Sequence, residues 1–71
     1  MLEELRKWSW AVPFQPFQIE LGSGRTLKVP HADHILVTSG GIIGVEDDAG
    51  LLDVMAALHI TSIRSLRPAS A

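Results

Sequence analysis

Three histidines and a scatter of carboxylates are the side chains in this 71-residue sequence with the types for metal or acid–base chemistry. His31-Ala32-Asp33-His34 sets two imidazoles and a carboxylate within four residues, and His59 could add a third imidazole from farther along the chain. Nothing in that spacing fixes a tetrahedral ligand set. The expectation is a polar corner in which Asp33 accepts from nearby backbone N–H groups while His31 and His34 face water, with no metal and no cofactor. Asp47, Asp48 and Asp53 have no nucleophile or base beside them in the pattern, so they read as solvated turn residues and the chain as no enzyme. Ser39-Gly40-Gly41 lacks the lysine and the following helix of a phosphate loop and is a turn.

Two aromatic and proline features carry binding rather than chemistry. Pro13-x-x-Pro16 has the spacing of a polyproline ligand, but Phe14 and Phe17 flank it and it leads into a strand, so both prolines are expected to act structurally, in a stiff connector. Trp10 falls off the apolar stripe of its own helix. A large aromatic is costly to leave in water, so it is either folded back onto the domain or held at an interface.

These groups have to be positioned by a very small molecule. Apolar residues make up 46% of the chain and charged ones 20%, with no cysteine, a net charge of −2, a pI near 5.8 and a mean hydropathy of +0.23. One domain is all that length allows, and neither a disulfide nor a cysteine-ligated zinc can brace it. A short chain has too much surface per volume to hide so many apolar side chains, and association is the expected outlet. No apolar run approaches the ~18 residues of a membrane span, and Glu3, Glu4, Arg6 and Lys7 occupy the place of a signal-peptide core. The cytoplasm is the expected compartment. Arg6, Lys7, Arg25, Lys28, Arg64 and Arg67 are dispersed among eight acidic residues, which argues against strong nucleic-acid binding.

The element order follows from periodicity. Leu2, Leu5, Trp8 and Val12 share one helical face, predicting a helix over about 2–12 that Pro13 stops. Phe17, Ile19 and Leu21 alternate with polar residues, predicting a strand over 17–21. A two-residue turn after it would set Leu21 against Thr26 and Ile19 against Lys28. A three-residue loop, Gly22–Gly24, pairs Ile19 with Leu27 and Phe17 with Val29 instead, and requires Gly24 in the left-handed region. Further strands are predicted at 25–29, 35–38 and 42–46, with Gly44 as a bulge or a point of close approach. Leu51 to Leu58 has helical propensity that Asp47 or Asp48 could cap. Gly50 and the even-numbered pair Leu52 and Val54 favour a strand at 51–55. A last strand at 59–66 completes a single domain over 1–66, and 67–71 reads as a flexible tail. A helix followed by short strands with regular turn signals predicts a mainly β fold, a five-stranded small barrel of SH3-like or Sm-like type.

Two resemblances bear on this reading. The run Pro13-Phe14-Gln15-Pro16-Phe17-Gln18-Ile19-Glu20-Leu21, then Gly24-Arg25, Val29 and Leu58-His59-Ile60-Thr61-Ser62-Ile63, resembles a group of small bacterial proteins with the same pattern over about residues 13–64. That group brings no activity with it. The element order also resembles the Sm-like proteins, which implies a bent barrel and ring assembly. Their RNA pocket does not carry over, because Asp33-His34-Ile35-Leu36 lacks the Met-Asn pair and Ile63-Arg64-Ser65 lacks the glycine. The expected function is an oligomeric interaction or scaffold module, the alternative being an Sm-like nucleic-acid or small-ligand binder. Trp10, Ile35, Val37 and Ile63 are the expected interface residues, with strand edges joining the copies.

Overall fold

A computed structural model describes residues 1–66; the tail expected at 67–71 lies outside the described residues. The chain forms a helix α1 (Leu2–Ser9) and strands β1 (Phe17–Leu21), β2 (Thr26–Val29), β3 (Ile35–Val37), β4 (Ile42–Glu46), β5 (Leu52–Ala56) and β6 (Ile60–Ser65). All pairings are antiparallel, in two separate sheets of order β2-β1-β6 and β3-β4-β5. The five-stranded barrel is therefore corrected: the described residues form six strands in two three-stranded sheets, with no closed barrel among them.

The cause is local to the two crossings between the sheets. Pro30 ends β2 without an N–H to donate, and Ala32–His34 winds into one 3₁₀ turn closed by His34 N–H to the His31 carbonyl, 3.1 Å. A second 3₁₀ turn, Ala57–His59, separates β5 from β6. It is pinned from both sides, with Ala57 N–H donating to the Gly41 carbonyl at 2.8 Å and Gly22 N–H to the His59 carbonyl at 3.0 Å. A barrel wall needs ladder hydrogen bonds that continue through each bend, and these turns spend the backbone groups otherwise.

Within the hairpins one loop design recurs three times. Leu21, Thr38 and Asp47 each donate their N–H to the carbonyl four residues on (Arg25, Ile42, Leu51), and each accepts from a glycine three residues on. Those glycines, Gly24, Gly41 and Gly50, have φ of +92°, +87° and +82°, a region that a Cβ makes costly. The first loop sets Phe17 opposite Val29 and Ile19 opposite Leu27, the register its three-residue length demands. Residues 51–58 resolve into β5 and the 3₁₀ turn, with no α-helix. Gly44 sits in an unbroken register between Leu36 and Val54; the irregular pairing falls instead between Glu20 and Leu21, opposite β6.

The core lies between the sheets and under the helix. Leu5, Phe17, Ile19, Val29 and Ile43 are wholly buried, and Val45, Ile60 and Leu27 nearly so. Phe17 packs between Trp8 and Phe14, at centroid distances of 5.5 and 5.8 Å. The helix ends at Ser9, earlier than residue 12: the Ser9 hydroxyl donates back to the Arg6 carbonyl at 3.1 Å, and Trp10 has left helical geometry at φ −102°, ψ 5°. Arg6 then reaches the carbonyls of Thr38 and Ser39, which fastens α1 against the end of β3. The Val12–Pro13 peptide is cis, and the Pro16 carbonyl accepts from Leu66 N–H at 3.1 Å, tying the connector to the end of β6.

Candidate interaction face

Strand pairing decides which residues share a surface. In β4 the odd positions Ile43 and Val45 point to the core, so Ile42, Gly44 and Glu46 point out. Register then sets Leu36 and Val54 on either side of Gly44, Ala56 beside Ile42, and Leu52 beside Glu46. The outer face of the second sheet is consequently apolar over most of its area. Leu36 and Leu52 are each 66% exposed and Val54 63%, with Ile42 exposed at one end. Because Gly44 has no side chain, the middle of the face is a notch; a Cβ placed there would stand 3.6 Å from Leu52 Cδ1 and 3.9 Å from Leu36 Cβ. The notch opens into a shallow depression of about 340 Å³ that reaches Asp33, His34 and Glu46 at its polar end.

Sequence reading places the apolar surface of β3 one residue out of phase. Ile35 and Val37, expected at an interface, are half-buried and pack against the core, while Leu36 between them is the exposed one. Ile63 is likewise packed against the core from β6. Trp10 is 67% exposed, beside a surface hollow that it shares with Glu3, Arg6, Val37 and Ser39. The signal for the missed face was present: Ile35-Leu36-Val37 and Ile42-Ile43 are unbroken apolar runs, and a strand apolar at both parities has two apolar faces.

At the polar corner, the rings of His31 and His34 stand 5.8 Å apart. His34 Nδ1 is 2.9 Å from the Glu46 carbonyl oxygen, a hydrogen bond across the mouth of the depression. That bond raises the His34 pKa above its ordinary value; desolvation opposes it, and the negative charges of Asp33, Glu46 and Asp48 add to the rise. His59 lies in the second crossing turn, away from this corner, and no group of three metal-ligating side chains forms among the described residues.

Asp47 and Asp53 are engaged with the backbone and with an arginine. Asp47 Oδ1 accepts from Ala49 N–H and Leu51 N–H, each at 2.9 Å, which makes it the brace of its own loop. Asp53 pairs with Arg25 at 3.1 Å across the seam between β2 and β5, beside an open cleft that Lys28 and Asp48 also line. Arg64 lies 3.8 Å from Glu20, whose carboxylate also accepts from the Ser62 hydroxyl. Arg25 and Arg64 are thus each set against a carboxylate. No helix among the described residues is long and apolar enough to cross a membrane. Comparison of the chain with protein-family models, with curated proteins and with solved structures finds no match.

Proposed function

We propose that this protein is a non-catalytic interaction module that works as an assembly of its own copies, in the cytoplasm. The observation that supports this reading is the amount of large apolar surface left outside the core: Trp10 and Val12 after the helix, Leu36, Leu52 and Val54 on the second sheet, and Leu51 in the loop before β5. A fold of this size with no covalent brace gains stability by burying such surface against a partner, and a second copy is always at hand. Single exposed apolar residues need no explanation, but a contiguous patch does. Nucleic-acid binding has less support, because Arg25 and Arg64 are both set against carboxylates and no basic stripe results.

Sedimentation equilibrium from about 1 to 100 µM tests the reading, since mass action makes any assembly of copies concentration-dependent. A species heavier than the 7.7 kDa chain at the upper end is expected. A single 7.7 kDa species throughout, with an unchanged cooperative melt, overturns it.

A further inference from the structure

Resting on that reading, we infer that the copies meet face to face through the outer surface of the second sheet, as a two-fold dimer in which the notched apolar face around Gly44 of one copy is covered by the same face of the other. Three observations select this surface and this occupant. The first is area. Leu36, Ile42, Leu52 and Val54, at roughly 100 Å² each and with the backbone at Gly44 and Ala56 added, offer on the order of 500 Å² of apolar surface. A standard interface takes about 800 Å² per partner, somewhat over half of it apolar, so this face supplies the apolar share that one side of a dimer needs.

The second is shape. A two-fold interface presents the same patch twice and must be complementary to itself. This face has relief of its own: Leu36 and Leu52 stand up on either side of a position without a side chain, with Leu52 Cδ1 only 3.6 Å from where a Cβ would be. A flat apolar sheet would slide over its copy. A notched one has a register.

The third is charge. Glu46 is the carboxylate of the face and sits at one end, beside Leu52, while Ile42 and Ala56 form the apolar opposite end. An axis perpendicular to the strands lays the Glu46 end of one copy over the Ile42 end of the other, keeping the two carboxylates apart. An axis along the strands would bring them together, which costs energy as desolvation proceeds. The charge pattern therefore selects antiparallel strands across the interface, near the aligned packing that twisted sheets adopt.

Two variants test this without threatening the fold. Leu52→Lys puts a cation on the face directly opposite Glu46, a favourable cross-strand pair for the monomer and a buried charge for the dimer. Gly44→Thr fills the notch with a good strand former at ordinary contact distances. Sedimentation equilibrium of the full chain should show a dimer for the wild type and at least about tenfold weaker association for each variant. Circular dichroism melts should remain cooperative. Leu58→Lys, exposed but outside the face, should dissociate as the wild type does. A wild-type chain that stays monomeric at about 100 µM overturns the functional reading together with this inference. Assembly that persists unchanged in Leu52→Lys and Gly44→Thr, or that is lost in Trp10→Glu alone, overturns the face-to-face dimer and leaves self-assembly standing.

Discussion

The two sheets have the same number of strands and the same antiparallel pairing, yet only the first is finished as a monomer surface. Strands β2, β1 and β6 send Phe17, Ile19, Leu27, Val29 and Ile60 inward and turn Gln18, Glu20, Thr26, Lys28, Ser62 and Arg64 outward. The second sheet sends Ile43 and Val45 inward, and its outer face is Leu36, Ile42, Gly44, Leu52 and Val54. Clean alternation marks a sheet with water on one side, whereas apolar residues at both parities mark one that expects cover on both. The difference lies in the outer faces: the first sheet turns polar side chains to solvent, and the second turns out an apolar surface, the one the proposed dimer would cover.

The sharpest way to break that comparison is to remove apolar bulk from each sheet in turn. Phe17→Ala empties the site where Trp8 and Phe14 converge on a wholly buried ring and should cost about 3–5 kcal/mol, most of what a chain this short possesses. Val54→Thr on the outer face of the second sheet should change stability by no more than about 0.5 kcal/mol. Both belong in a Leu52→Lys background, so that loss of assembly does not register as loss of folding. Urea midpoints that move equally for the two would show that the sheets do not differ in this way.

The hairpin loops sharpen the comparison at the next level of energy, because one backbone design is held by different side chains in the two sheets. In the first sheet, the loop after Leu21 relies on Gly24 at φ +92°, and its side-chain brace is a single long hydrogen bond, from Arg25 N–H to the Ser23 hydroxyl at 3.4 Å. Gly24→Val should cost about 2 kcal/mol, since a β-branched residue is forced into the left-handed region. In the second sheet, Asp47 Oδ1 takes two backbone N–H groups and Thr38 Oγ1 exchanges hydrogen bonds with the Ile42 backbone. Asp47→Ala should cost about 1 kcal/mol, because the loop is exposed and water replaces part of what is lost. Denaturant titration of the two variants checks the order; an unchanged midpoint for Gly24→Val would mean that the loop relaxes to another geometry.

Local chemistry explains which of these features were legible in the chain. Alternation at 17–21 and the need to match Ile19 with Leu27 determine the first hairpin completely, down to the glycine that closes it. Closure of the sheet could not be read in the same way. Whether β2 continues into β3 depends on how the backbone groups around Pro30 and His31 are satisfied, and a 3₁₀ turn leaves no periodic signature in three residues such as Ala32-Asp33-His34. The phase of β3 was equally hidden, because Ile35, Leu36 and Val37 are all apolar. Only its pairing with Gly44 and Val45 tells which one faces out. The interaction face depends on that phase, so it becomes visible only once the register is known.

The smallest effect separates the sheets by pH. No histidine lies in β1, β2 or β6, whereas His34 stands where the chain enters β3 and is bonded to Glu46 on β4. In the folded protein the Glu46 carbonyl holds the proton on His34, with Asp33, Glu46 and Asp48 adding negative charge around it, so its pKa lies above the ordinary 6.5. A group whose pKa is higher folded than unfolded stabilises the fold fully below its unfolded value, and that contribution disappears as pH rises through the folded value. The melting temperature should therefore drift down from about pH 6 to pH 8. The group lies at the surface and the drift will be small. His34→Gln should keep the fold and flatten the drift. Parallel melting curves for wild type and His34→Gln over that range would show that the corner bond carries no net stability, and that the second sheet differs from the first in its apolar face alone.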